Sequence, residues 1–212
     1  MTATTLNSKK ELETLGDPTN DGESVILLAA PTVVEFTIEG SSALLFHRWS
    51  NEAVAEKAAA AKGSAAKKTD DTESYVYRND KREICLPGEY VRMAMVGAAR
   101  YRQDPRSPRK SAMDLFKAAL VSLTELASLG STDWNYLDAR RVMVQRSAVT
   151  RQRPAFNPGW TATFQFMINL PEYVSTSTFH EVLANAGRLI GVGDFRPTYG
   201  RFMVVSFDVL SS

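Results

Sequence analysis

The chain has 212 residues, of which 44% are hydrophobic and 23% charged, and its formal net charge is +1. This is the composition of an ordinary globular protein, long enough to bury a core without staples; it excludes a collagen, a coiled coil, a disulfide scaffold and a wholly disordered chain. No apolar run approaches the roughly 18 to 20 residues of a membrane span, Met1 to Lys10 lacks the order of a secretory leader, and the single cysteine, Cys85, has no internal partner, so a reducing, cytoplasmic compartment fits.

Met1 to Ala30 sets Lys9 and Lys10 against Glu11, Glu13, Asp17, Asp21 and Glu23. It reads as an acidic N-terminal arm, either loose or ordered only on a neighbour. Residues 31–212 read as one domain. Pro31 to Ile38 alternates, with Val34, Phe36 and Ile38 on one face, as a half-buried strand does, and Gly40 breaks it. Ala43 to Phe46 resumes an apolar run. An insertion over 48–83 follows, in which the alanine- and lysine-rich Asn51 to Lys68 is either a short helix or a mobile loop. Tyr75-Val76-Tyr77 reads as a short strand, and so does Ile84-Cys85-Leu86.

Pro87-Gly88 turns the chain into a helix over about Glu89 to Tyr101, with an acid in its first turn. Asp104-Pro105 and Ser107-Pro108 end it. A second helix is expected over Ser111 to Leu129, with Leu115, Ala119, Leu123 and Leu126 on one stripe and Gly130 as its stop. Arg140 to Arg153 reads as an extended basic segment, and Pro154 to Gly159 as a turn. Trp160 to Ile168 alternates cleanly and makes the best strand in the chain. A helix is expected over Ser177 to Ile190, with Phe179, Leu183, Ala186 and Ile190 inward. Gly191 to Gly200 is a glycine-rich turn. Arg201 to Leu210 closes the chain as a strand, with Phe202 and Val204 on one face and Met203, Val205, Phe207 and Val209 on the other. Separated strands and helices with antiparallel-style connections give an α+β class, and the β-α-β…β-α-β order is the split ferredoxin-like pattern, an antiparallel sheet with helices on one face.

Three stretches concentrate arginine. Arg100, Arg102, Arg106, Arg109 and Lys110 face only Asp104. Arg140, Arg141, Arg146, Arg151 and Arg153 have no acid among them. Arg188, Arg196 and Arg201 flank Asp194 at the glycine-rich turn. Guanidinium groups bind phosphate bidentately and stack on bases, so this bias favours nucleic acid over a merely solvated face. In the turn, Gly191 and Gly193 permit close backbone approach, Arg196 and Arg201 add charge, and Phe195 and Tyr199 add stacking faces. It is not a dinucleotide fingerprint, which follows a strand and opens a helix. Trp49, Tyr75, Tyr77, Tyr101, Phe156 and Trp160 interleave with the charges, as stacking on unpaired bases requires; Trp160, which heads a strand, reads as core. Enzyme signals are thin. His47 and His180 stand apart from any Cys or His at metal spacing, Cys85 reads as a small core residue, and no nucleophile elbow or phosphate loop occurs. No cofactor is implied.

Two motifs together resemble the RAMP superfamily of CRISPR proteins. Ile84 to Ala94 is similar to its strand, Pro-Gly, helix signature, with Glu89 and Tyr90 where the family carries a small polar pair. Gly191 to Phe202 is similar to its glycine-rich C-terminal loop, ending in aromatic-Gly-Arg and a strand start. The guide-RNA-binding backbone subunits resemble it most, and Leu44 to Arg48 stands where their first strand ends ahead of a long insertion. The chain also resembles phage and mobile-element proteins of unknown function that share the Gly-Asp-aromatic-Arg-Pro turn. The resemblance implies an RNA-recognition-motif-type core, a positively charged groove, head-to-tail copies along the strand, possible further subunits of a ribonucleoprotein complex, and a hairpin thumb over 140–160.

The expected function is therefore single-stranded nucleic-acid binding, RNA in first place, by an oligomeric, filament-forming backbone-type subunit that is not an enzyme. The expected contacts are His47, Arg48, Arg92, Arg100, Arg102, Arg146, Arg151, Arg153, Gly191, Gly193, Arg196, Tyr199 and Arg201. Two alternatives stand beside it. One is a metal-dependent endoribonuclease using Asp70 or Asp71 in the insertion. The other is a structural or partner-binding protein whose arginines meet an acidic protein surface.

Overall fold

The structure, a computed structural model, describes residues 29–48, 51, 55, 58–59, 71–144 and 147–211, with the backbone alone at 142–144, 147–149 and 211. Residues 1–28 of the acidic arm, half of the insertion, including Trp49 and Asp70, and Arg146 lie outside the described residues. In chain order the strands are β1 (Thr32–Gly40), β2 (Leu44–Leu45), β3 (Tyr77–Arg78), β4 (Ile84–Pro87), β5 (Gln103–Asp104), β6 (Ser107–Ser111), β7 (Leu120–Ser122), β8 (Leu126–Ser128), β9 (Tyr136–Val144), β10 (Ser147–Phe156), β11 (Thr161–Ile168) and β12 (Phe202–Ser211). The helices are α1 (Gly88–Ala98), α2 (Met113–Ala119) and α3 (Thr176–Leu189). This is a mixed α/β fold with antiparallel sheets.

The main sheet has the order β12-β1-β11-β7, and every pairing in it is antiparallel. The period-two alternation of β1 and β11 dictates its two faces. Val34, Phe36 and Ile38, with Ala162, Phe164, Phe166 and Ile168, are buried. Phe36 lies 5.7 Å from Phe164, 5.3 Å from Phe166 and 5.7 Å from Phe179 of α3, centroid to centroid, so this face is the core seam between sheet and helix. The other face is polar. There Thr37 and Thr163 share a hydrogen bond at 2.9 Å, and Gln165 donates to Glu35 at 2.8 Å. Trp160 is buried, as expected of a core residue, and donates from its indole to the Ser42 carbonyl at 2.9 Å. A side chain at Gly40 would overlap that indole, which explains the glycine that ends the alternation.

Three smaller sheets decorate this core. They are β2-β10-β9, β3-β4-β8 and the two-stranded β5-β6. The extended basic segment is thus a long hairpin, β9 against β10, whose base is tied to β2 through Ala155 and Phe156.

The expected second helix is where the sequence reading fails most. Helix α2 stops at Ala119; Leu120 is already extended (φ −104°, ψ 129°), and β7 and β8 occupy the rest. Leu115 and Ala119 are buried as the stripe requires, but Leu123 is 47% exposed. Tertiary pairing decides it. The edge of β11 is open to Leu120–Ser122, and the Gln165 carbonyl takes the N–H groups of Leu123 and Thr124. Four smaller expectations also change. Pro154 to Phe156, expected in a turn, belong to β10. Glu73–Tyr75 is a 3₁₀ turn and only Tyr77–Arg78 pairs as a strand; Asp104 and Ser107 lie in a small hairpin rather than merely ending a helix. In β12 a register shift between Thr37 and Ile38 of β1 turns Phe207 inward, where it packs 5.9 Å from Phe179, on the face that Phe202 and Val204 already occupy.

Candidate nucleic-acid interface

Helix α1 organises the site. Pro87 and Gly88 begin it, and a side chain at Gly88 would overlap Ser122 and the Thr124 carbonyl, so this glycine lets β7 press against the helix start. Val91, Ala94, Met95 and Ala98 are buried. Glu89, Arg92 and Met93 of the helix, and Arg100 in the 3₁₀ turn that follows it, reach the surface, with Tyr90 half-buried among them.

Two hollows open along this surface. The first, about 800 Å³, is lined in part by Arg48, Tyr77, Arg92, Lys117 and Glu125. The Arg48 guanidinium lies over the Tyr77 ring, 4.9 Å from its centroid, and the backbone N–H of Arg48 donates to the Tyr75 carbonyl at 3.0 Å. The second, about 670 Å³, is bounded by Met93, Arg100, Tyr101, Phe195 and Arg196. Tyr101 is 70% exposed and Phe195 37%, the latter with the Arg153 guanidinium packed over its ring. Arg100 and Arg196 are exposed and have no acidic partner among the described residues. Tyr90 lies beside the first hollow. Its hydroxyl shares a hydrogen bond with that of Tyr77 at 3.2 Å, burial raises its pKa above the ordinary phenol value, and Arg196 and Asp194 of the turn act on it electrostatically.

Several expected contact residues are spent inside the fold. Arg92 donates to the carbonyls of Lys117 (2.7 Å) and Leu120 (2.8 Å) and to Glu89 (2.8 Å), and so collects the backbone acceptors that α2 leaves when it stops early. Arg102 is held by Glu181 at 2.5 Å. Arg153 is 7% exposed, paired with Asp194 at 2.5 Å and set 4.4 Å from the centroid of Phe195; its Nη1 has no hydrogen-bond partner. The neighbouring Arg140 bonds Asp138 at 2.5 Å and also Tyr199, and lies over both Tyr199 and Phe195. Asp138 raises the pKa of Arg140 further. Tyr199 thus faces the hairpin.

The glycine-rich turn is built for its own closure. Gly193 and Gly200 have φ of 77° and 69°, and a side chain at either would strike backbone, the Leu45 carbonyl and the Val192 carbonyl respectively. Asp194 donates its N–H to Leu45 (2.9 Å), and Gly200 donates to Ala43 (2.8 Å). Gly191, also at positive φ, belongs to the same closure against Tyr199 and Gly200. The turn is held by β2 and the hairpin, and only Phe195, Arg196, Pro197 and Thr198 project outward.

Of the expected residues, then, Arg48 and Arg92 meet at the first hollow, Arg100 and Arg196 at the second. His47 is exposed, with its ring 4.7 Å from that of Tyr75. Arg151 is half-buried in β10, and Arg201 lies in a separate groove beside α3. Asp71 sits in a turn, where Oδ1 accepts the Glu73 N–H at 3.2 Å. No group of three or more His, Cys, Asp or Glu among the described residues could hold a metal ion. Tyr90 and Lys117 lie beside these groups without having been expected there. Tyr77, Tyr101 and Phe195 carried a signal, since each adjoins an arginine in sequence and each stands among the aromatics expected to stack.

No family model matches the chain, and no curated protein matches it. Among solved structures it is similar to a chain from the cryo-EM structure of the Type III-B Cmr-beta bound to cognate target RNA, with a TM-score of 0.51 and 10% sequence identity. The match covers 86% of this chain and 61% of the other, so this chain spans less than two thirds of that neighbour's length. At this identity the likeness is one of fold. No helix among the described residues is long and apolar enough to cross a membrane.

Proposed function

We propose that the protein binds single-stranded RNA along the surface of α1, from the hollow at Arg48 and Tyr77 to the hollow at Arg100, Tyr101, Phe195 and Arg196. The observation that carries this reading is the second hollow. There two arginines without acidic partners flank two exposed aromatic rings, the combination of phosphate charge and stacking platform that an unpaired strand requires. Two supports come from the fold. The sheet order β12-β1-β11-β7, with α1 packed on α3, supports reading the core as a split β-α-β of the ferredoxin-like, RNA-recognition-motif type. The structural neighbour, of distant likeness, comes from an assembly bound to RNA.

On this reading the chain is a RAMP-like protein, and the β9–β10 hairpin acts as a thumb whose base is fastened to the turn. The polar face of the main sheet, with Glu35 and Glu39, repels phosphate and directs the strand to the helix side. Copies would sit head to tail along one strand. A labelled single-stranded RNA titrated with full-length protein tests the reading. Binding should weaken with salt, and Arg100→Glu with Arg196→Glu should remove most of it. Incubation of the same RNA with magnesium should leave it intact; cleavage lost on Asp70→Ala or Asp71→Ala would favour the ribonuclease instead.

A further inference from the structure

The two hollows along α1 differ in their carboxylates. In the second, among the described residues, the lining holds Asp194 alone, and Arg153 engages it at 2.5 Å. The first holds Glu89 and Glu125. Glu89 is paired with Arg92 at 2.8 Å. Glu125 is exposed, and its side chain has neither an ion pair nor a hydrogen bond among the described residues. Only its backbone is used, where the carbonyl accepts the Gly88 N–H at 3.0 Å. The same hollow holds two cations with charge to spare. Arg48 has no acidic partner among the described residues, and Lys117 stands a loose 3.6 Å from Asp114, both side chains being exposed. A carboxylate and cations therefore share one cavity without pairing.

A cavity that held only phosphate would be weakened by that carboxylate. A nucleotide uses both signs, since its phosphate is anionic and its base offers N–H donors. An ionised glutamate has two acceptor oxygens and no donor, so it favours a base edge with two adjacent N–H groups. On their Watson–Crick edges, guanine alone of the four RNA bases has one, N1–H beside the N2 amino group. Adenine and cytosine set one amino group beside an acceptor nitrogen, and uracil sets N3–H between two carbonyls, so each turns an acceptor towards the carboxylate. We propose that the first hollow is a guanine pocket, in which Glu125 accepts N1–H and N2–H of one base while Arg48 and Lys117 hold the adjoining phosphates. Val121 and Leu123, 38% and 47% exposed in the lining, supply an apolar wall for the base. The volume of about 800 Å³ suits a nucleotide. The second hollow, whose carboxylate is occupied, takes any base. The inference rests on the reading that single-stranded RNA passes the first hollow, and adds a sequence preference to it.

Affinities of the full-length protein for a set of labelled RNAs test it. The set is a uridine oligonucleotide and the same oligonucleotide with spaced guanosine, inosine, adenosine or cytidine substitutions. Guanosine should bind roughly five- to 150-fold tighter than the other natural bases, the discrimination of one bidentate contact. Inosine keeps N1–H and lacks the N2 amino group, so it should lose most of that gain. Glu125→Ala should bring the guanosine and uridine RNAs to within about twofold of each other, the loss falling on the guanosine RNA. Glu125→Gln, which retains one acceptor, should keep part of the preference. Far-ultraviolet circular dichroism confirms that each variant is folded. Guanosine bound no better than the other bases, inosine equal to guanosine, or a preference that survives in Glu125→Ala would each overturn the pocket. If all the RNAs bind alike and respond to salt, the pocket falls and the general reading of RNA binding stands. If none binds, both fall.

Discussion

The exposed arginines of the α1 hollow and the sunken arginines of the hairpin junction come from equally basic stretches of sequence, yet their environments are opposite. Arg100 and Arg196 stand in solvent beside Tyr101 and Phe195. Arg153 is buried against Asp194 and Phe195, and Arg140 is tied to Asp138 and Tyr199. The first pair is available to an incoming anion. The second fastens the β9–β10 hairpin to the glycine-rich turn, and so fixes the direction in which Phe195 and Arg196 project. Phe195 joins the two regions, since it is packed by the buried arginine while contributing to the exposed hollow.

The sharpest way to break this contrast is to uncouple the buried pair. Asp194→Ala leaves the Arg153 charge enclosed without its carboxylate and should destabilise the fold by about 3 to 5 kcal/mol, read from urea melts followed by circular dichroism. Replacing both exposed arginines, Arg100→Glu and Arg196→Glu, should leave stability within about 0.5 kcal/mol while RNA affinity collapses. If the two double dissociations come out reversed, the assignment of regions is wrong. Tyr101→Ala refines the exposed side. Loss of one stacking platform should weaken RNA binding by about 1 to 3 kcal/mol, roughly five- to 150-fold, and Tyr101→Trp should retain it. Arg102→Ala is the comparison within the same basic stretch. Its pair with Glu181 is largely exposed, so it should change stability by about 1 kcal/mol or less and leave RNA affinity nearly unchanged.

The smallest effect concerns pH. Hydrogen bonds from Arg106 hold the Asp104 carboxyl at about 2, below its ordinary value of 3.8. A depressed carboxyl stabilises the folded state above its unfolded pKa, and that contribution fades as pH falls from about 3.8 through about 2. Amide exchange in the β5–β6 hairpin should therefore accelerate over that window, and Asp104→Asn should flatten the change.

The alternating strands β1 and β11 were legible in the sequence because one buried face imposes a strict period. Helix α3 was legible because Phe179, Leu183 and Ala186 keep a helical one. Strand β7 was not. Leu115 to Leu126 satisfies a helical stripe, and only the vacant edge of β11, formed by residues some 45 positions later, pulls Leu120–Ser122 out of it. The glycine-rich turn was visible as a feature but not in its purpose, because Gly193 and Gly200 meet backbone carbonyls and not solvent. Part of the proposed interface was hidden for a similar reason. No local pattern separates an arginine that will meet Asp194 across the fold from one that will meet nothing, and none brings Tyr77 to Arg48 and Tyr90.

The most direct measurement is the affinity for single-stranded RNA as a function of salt, for the natural protein and for the Arg100→Glu, Arg196→Glu variant. With about four phosphate contacts, from Arg48, Arg100, Lys117 and Arg196, and a single-strand slope of about −0.7 per contact, affinity should fall roughly fiftyfold between 50 and 200 mM salt. With two contacts removed, the fall should be about sevenfold, from a weaker starting point. Binding that ignores salt, or a variant whose affinity and slope equal those of the natural protein, would contradict the account.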